Sequence, residues 1–310
     1  MKKILLTFPG QGSQSVGMGK EFYDKFPASK NIIDKLDEEL KNIIFSGPEE
    51  SLKDTKYAQP AIFGVSVAIF EALKSSIDLS KFEIATAGHS LGEYSALAVS
   101  GFFNFEDGLK MVKARGQFIG QASAENPGAM AAIIGMQKDA VIDVCKQASV
   151  EGVCEPVNFN SPGQIVISGT TQAISKAVEL AKANGALKAV MLNVSGPFHS
   201  SLMKPASEKM KVELEKYNLL QPKYPIITNC DAQITNDASL IKEKSVKQIC
   251  SPVLWDISIT NAIADGFDTF IEIGPGRVLT GLMRRIDKTK KAMNIETVAN
   301  LETVIEELSK

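Results

Sequence analysis

Residues 84 to 98 read IATAGHSLGEYSALA. A short apolar run ends in Gly88-His89-Ser90-Leu91-Gly92, and a helix-like stretch follows without a break. This is the G-x-S-x-G pattern set between a strand and a helix. Few backbones accommodate it. Glycines two residues either side of the serine let the turn close tightly, because a Cβ there would clash with neighbouring backbone. The serine is then displayed at the apex, at the positive end of the following helix. Backbone N–H groups at such a turn can stabilise an oxyanion. The stretch predicts an α/β protein with a nucleophilic Ser90, against the plainer reading of a tight turn with no chemistry.

The order of the other elements extends that prediction. Residues 3 to 8 read as a buried strand, broken at Pro9-Gly10, and residues 20 to 75 as mostly helical. Strand 82–87 enters the turn and helix 91–100 leaves it. Asn104 is placed to cap the next helix, whose apolar stripe runs through Phe105, Leu109, Val112 and Ile119. From 128 to 194 the pattern is β-α-β-β-α-β, the ferredoxin-like split unit, with a turn at Ser161-Pro162-Gly163. It reads as an insertion spanning 126–196. A helix near 201–217, a strand near 224–229, helices over 238–264, strand 267–274, helix 277–286, a strand near 294–298 and a last helix complete the chain. Alternating strands and helices imply a mainly parallel sheet covered on both faces.

Composition narrows the function classes. The 310 residues are 44% hydrophobic and 23% charged, with a formal net charge of −2. That balance gives no sign of nucleic acid or a membrane surface as partner. No apolar stretch reaches membrane-spanning length, and MKKILLTFPGQG is too short in its apolar part for a signal peptide. Cys145, Cys154, Cys230 and Cys250 show no metal-ligand spacing and read as reduced, buried thiols of a cytoplasmic protein. The loop PGQGSQSVGMGK lacks the G-K-[S/T] ending of a phosphate loop and the third glycine of a dinucleotide fingerprint.

A serine needs a base to act at neutral pH. There are two histidines. His89 adjoins Ser90, so its side chain leaves the turn in another direction and reads as a packing or hydrogen-bonding residue. His199, in SGPFHS, is the remaining imidazole and the candidate base, where the chain returns from the insertion. No carboxylate is evidently placed to orient it. An ordinary α/β-hydrolase would run Ser, acid, His with the histidine near the C-terminus. Arg115 lies one helical turn past Val112, in a chain with only four arginines. On periodicity alone it reads as a side chain snorkelling over apolar surface.

Together, GHSLGEYSAL, PGQGSQ, the Arg115 helix, NSPGQIVISG, GPFHS, QICSPVLW and IEIGPG resemble the malonyl-CoA:acyl-carrier-protein transacylase family, in family order and over nearly the whole chain. The resemblance implies an α/β-hydrolase-like core over 1–125 and 197–310, carrying the ferredoxin-like insertion at 126–196. It implies ping-pong transfer of malonyl from malonyl-CoA to the phosphopantetheine thiol of acyl carrier protein in fatty-acid synthesis, through an ester on Ser90, with His199 as base. It further implies an oxyanion hole from the backbone N–H groups of Gln11 and Leu91, and Arg115 as clamp for the malonyl carboxylate. The backbone carbonyl of Gln248 would orient His199, and Gln59 and Asn160 would line the pocket. In related polyketide acyltransferases a phenylalanine before the histidine accompanies malonyl, so Phe198 points to malonyl over methylmalonyl. Neither metal nor redox cofactor is implied, and the expected state is a monomer. Two basic clusters are candidates for carrier docking: Arg284, Arg285, Lys288, Lys290 and Lys291, or Lys182, Lys188 and Lys204. A polyketide acyltransferase and a serine thioesterase on the same core are the alternatives.

Overall fold

A computed structural model describes residues 1–310. It contains two sheets. The larger is built from β1 (Lys3–Phe8), β2 (Glu83–Gly88), β7 (Ile226–Ile227), β8 (Ile234–Thr235), β9 (Thr269–Ile273) and β10 (Lys291–Ile295), in the order β10-β9-β1-β2-β7-β8. The first five in that order pair in parallel and only β8 runs antiparallel. The strand KILLTF is buried at nearly every position, as a sheet covered on both faces requires. Ile4, Leu6 and Phe8 point to one layer, with the helices Thr55–Ser76, Gly92–Ser100 and Phe105–Glu125. Leu5, one residue out of phase, joins Ala85, Ala87, Phe270, Trp255 and Ile259 on the other.

The second sheet is β3 (Ala129–Ile134), β4 (Cys154–Ser161), β5 (Gln164–Gly169) and β6 (Lys188–Met191), antiparallel throughout, in the order β4-β5-β3-β6. The helices Lys138–Ala148 and Thr171–Ala183 cover one face over Ala131, Ile133, Ile165 and Ile167. The other face presents Met130, Val157 and Val166 toward Leu192, Val194 and Phe198. This is the β-α-β-β-α-β order expected from the sequence.

Some boundaries differ from expectation. Residues 20 to 75 resolve into five helices, the longest being Thr55–Ser76. The strand expected near 224–229 is only two residues long, because the chain turns at Thr228 to send Asn229 toward the serine turn. The strand expected near 294–298 ends at Ile295, because Thr297 caps the last helix in a reciprocal box with Asn300. Cys145 and Cys154 are buried, whereas Cys230 and Cys250 are only partly covered. No helix is long and apolar enough to cross a membrane.

Candidate active site

The turn after β2 is as tight as the glycines demand. A Cβ on Gly88 would stand 1.9 Å from the carbonyl carbon of Gly92, and one on Gly92 would stand 2.0 Å from the carbonyl oxygen of Phe8. Ser90 has φ 54°, in the left-handed region that L-residues rarely enter. His199 shares that feature, with φ 62°, on the segment returning from the smaller sheet. Two strained residues thus face one another across a gap, and their side chains meet: Ser90 Oγ lies 2.7 Å from His199 Nε2. The other ring nitrogen, Nδ1, lies 2.9 Å from the backbone carbonyl of Gln248. That carbonyl can only accept, so Nδ1 carries the proton and Nε2 is left as an acceptor for the serine hydroxyl.

Arg115 departs from the periodicity reading. It is 1% exposed, covered by elements that its own helix's pattern does not report. Its Nη1 donates to Gln59 Oε1 at 2.7 Å, and Nη2 reaches Gln248 Oε1 at 3.2 Å and Ser90 Oγ at 3.3 Å. Every one of these partners is neutral, and Nε has none. The Tyr94 ring lies under the guanidinium, 5.4 Å from its Cζ, and the nearby Glu93 carboxyl, pushed toward its neutral form by burial, makes no ion pair with it, so the buried charge has no bonded counterion.

A cavity of about 830 Å³ opens above this group. Gln11, Gln59, His89, Ser90, Arg115, Phe198 and His199 line it, with Met130, Leu192 and Val194 from the smaller sheet and its exit. Asn160 is not on that wall. Its Oδ1 lies 2.8 Å from Nε2 of His89 and holds that ring from behind, while Asn158 faces the cavity. Irregular register between Pro156 and Asn158, and again between Phe159 and Ser161, alters which β4 residues face inward. The N–H groups of Gln11 and Leu91 donate to no protein acceptor, while that of Ser90 is taken by Asn229 Oδ1 at 2.8 Å. The Gln11 side chain donates to Thr55 Oγ1 at 3.0 Å, which in turn lies 3.3 Å from Ser195 Oγ.

A family model described as acyl transferase domain matches residues 6–308. The chain belongs to that acyl transferase family. It is 45% identical over 313 residues to the malonyl CoA-acyl carrier protein transacylase of Bacillus subtilis (strain 168), covering 99% of this chain and 98% of that relative. The crystal structure of acyl-carrier-protein-S-malonyltransferase from Bartonella henselae superposes with a TM-score of 0.96 at 40% identity, covering 99% and 100% of the two chains. A malonyl-transacylase solved in complex with a type II PKS acyl-carrier protein superposes with a TM-score of 0.93 at 38% identity, covering 99% and 100%.

The electrostatics of this acyltransferase's site follow from burial. His199 is pushed down to about 3, first by desolvation and then by the charge of Arg115. It is therefore neutral, as a base must be, across the physiological range. Glu93, one residue into the helix after the turn, is 1% exposed and pushed up to about 8 by desolvation. Its Oε2 accepts from the Asn229 N–H at 2.6 Å and its Oε1 has no partner. Asn229 and Glu93 escaped the sequence reading. The only signal available was a glutamate inside an otherwise apolar first turn, GEYSALA.

Proposed function

We propose that this chain transfers malonyl from malonyl-CoA to the phosphopantetheine thiol of acyl carrier protein, through an ester on Ser90. The observation that carries the reading is Arg115: a buried cation without a carboxylate partner, 3.3 Å from the serine hydroxyl. A bound malonyl group would supply the missing anion, held through parallel hydrogen bonds. An acetyl group or a plain ester would leave the charge uncompensated.

The chemistry follows from the contacts. Ser90 Oγ attacks the thioester carbon as His199 Nε2 takes its proton. The oxyanion forms within reach of the free N–H groups of Gln11 and Leu91. Collapse breaks the C–S bond, and His199 returns the proton to the departing thiol. The carrier thiol then gives its proton to His199, attacks the ester and restores Ser90. The Gln248 carbonyl stands where a carboxylate would orient the histidine elsewhere. Gln59 fixes Arg115, and Phe198, half-buried beside the cavity, leaves little room for an α-methyl group.

Residues 1–125 and 197–310 read as an α/β-hydrolase-like core and 126–196 as a ferredoxin-like insertion. The strand order of the smaller sheet, fourth-first-third-second within the insertion, supports that reading. One residue from each basic cluster meets on this insertion. Lys188 stands opposite Ile134, Ile134 stands opposite Gln164, and Arg285 hydrogen-bonds Gln164. Lys188 and Arg285 therefore share the outer end of the small sheet, two strands apart, and the acidic carrier would dock there. The cavity lining itself carries Glu49, Glu50 and Asp54 with Lys53. The relative solved with a type II PKS acyl-carrier protein favours, as a second reading, service to a polyketide carrier.

Intact-mass measurement with a mixture of malonyl-, methylmalonyl- and acetyl-CoA, followed by carrier protein, tests the reading. We expect a malonyl adduct that is absent from Ser90→Ala and discharges onto the carrier. Predominant release of free malonate would make the protein a thioesterase. Comparing fatty-acid and polyketide carriers in the discharge step separates the two pathways.

A further inference from the structure

Ser90 holds a strained backbone, and something must keep it there. The hydrogen bonds around it identify what does. Asn229, 1% exposed, accepts the Ser90 N–H through Oδ1 at 2.8 Å and donates from Nδ2 to the Gly88 carbonyl at 2.6 Å. One carboxamide thus grips the turn on both sides of the serine. Gln248 donates from Nε2 to the Ser90 carbonyl at 2.8 Å, which also accepts the Glu93 N–H of the following helix at 3.1 Å, and its Nε2 lies 3.4 Å from Asn229 Oδ1. The other end of the same carboxamide accepts from Arg115 Nη2. Asn229 is itself anchored, because its N–H donates to Glu93 and its carbonyl accepts from the Leu254 N–H at 2.9 Å. No polar atom of Asn229 is left unused.

We propose that Asn229 and Gln248 form a two-carboxamide clamp that sets the nucleophile and ties it to the arginine, so that Ser90 and Arg115 move as one unit. Both are positioning residues. Asn229 fixes the direction of the serine hydroxyl, and the Gln248 side chain fixes the distance between that hydroxyl and the guanidinium. The Gln248 side chain acts separately from its backbone carbonyl, which faces His199. The clamp also occupies the Ser90 N–H, which leaves the neighbouring Leu91 N–H as the free donor at the turn.

The inference rests on Ser90 being the nucleophile, and the test separates the two. The full-length chain is loaded with malonyl-CoA and with acetyl-CoA, and the single-turnover rate of adduct formation is read by intact mass. Wild type must load on Ser90, and failure there overturns the functional reading itself. Asn229→Ala should slow adduct formation from both donors by roughly 100-fold, the scale expected for a nucleophile misplaced by about 1 Å, with KM changed less than about threefold. Asn229→Asp keeps the acceptor for Ser90 N–H but loses the donor to Gly88, and should fall between. Gln248→Ala leaves the backbone carbonyl in place. It should lower malonyl loading at least about tenfold more than acetyl loading, because Arg115 loses its tether. Far-UV circular dichroism establishes which variants fold. If the Asn229 variants do not, Gln248→Ala decides alone. Folded Asn229 variants within about threefold of wild type, or equal losses for both donors in Gln248→Ala, overturn the clamp.

Discussion

At the scale of single residues, the burial of His199, reinforced by the charge of Arg115, governs pH behaviour. Burial and the neighbouring guanidinium both disfavour the imidazolium, so His199 titrates near 3 instead of its ordinary 6.5. An unfolded chain binds that proton at higher pH than the folded one does. Stability from this residue is therefore complete above about pH 6.5 and is lost progressively as pH falls toward 3. For activity with acetyl-CoA, which leaves Arg115 unpaired, the acidic limb of kcat/KM should lie well below pH 6. Arg115→Ala removes the second largest of the depressing causes and leaves burial and the nearby His89 in place, so that limb should move to higher pH. An unmoved limb would show that the guanidinium does not tune the base. The same variant should reduce malonyl transfer by at least about 100-fold while acetyl transfer changes less than about tenfold, and equal losses would refute the carboxylate role. Arg115→Lys should rescue only partly, because an ammonium cannot offer two parallel donors.

At the scale of elements, the turn between β2 and the helix Gly92–Ser100 was legible because its constraint is local. Gly88, Ser90 and Gly92 are neighbours in sequence, and the backbone contact between them is a consequence of the turn itself. Gly92→Ala forces a side chain against the Phe8 carbonyl, so we expect a loss of about 3 kcal/mol or more in chemical denaturation, or no folded protein. The glutamate of IEIGPG works by a similarly short reach. Glu272, buried on β9, accepts from the N–H groups of Leu279 and Thr280 and from the Thr280 hydroxyl, at 3.0, 2.7 and 2.7 Å. It closes the start of the helix Val278–Ile286, and Glu272→Ala should cost about 1 to 3 kcal/mol by leaving those donors unpaired. The pieces that were not legible are held by long reaches. Asn229 meets Ser90 across 139 positions and Glu93 across 136, so no local pattern announces either bond. Arg115 sits at the edge of its own helix's stripe, and the groups it meets when buried, Gln59, Gln248 and the Tyr94 ring, come from other elements. Asn160 was expected in the pocket, but β4 carries irregularities that a two-residue alternation does not register.

At the scale of the whole molecule, two sheets of opposite character meet at one cavity, and charge is distributed unevenly around it. Lys188 and Arg285 stand at the end of the small sheet away from the cavity, and Glu49, Glu50 and Asp54 line the cavity together with Lys53. An acidic partner guided by that asymmetry should be sensitive to salt. Raising ionic strength from about 0.01 to about 0.15 M shortens the screening length from roughly 30 to 8 Å. Transfer to carrier protein should slow across that range, and transfer to a small uncharged thiol should not. Reversing charge at both Lys188 and Arg285 should flatten the carrier's salt dependence, and a slope unchanged by that double reversal would place docking elsewhere.

The solitary charge of Arg115 has a thermodynamic counterpart. A buried cation that no carboxylate contacts directly is stabilised by an anion that binds it. Any small dicarboxylate that reaches the cavity acts as part of the structure, adding RT ln(1 + [L]/Kd) to the unfolding free energy, about 2.7 kcal/mol at a hundredfold excess over Kd. Free malonate should therefore raise the melting temperature of the wild-type protein and leave that of Arg115→Ala unmoved. The same titration, run with acetate or propionate as anion, ranks the anions the cavity accepts before any thioester bond is broken.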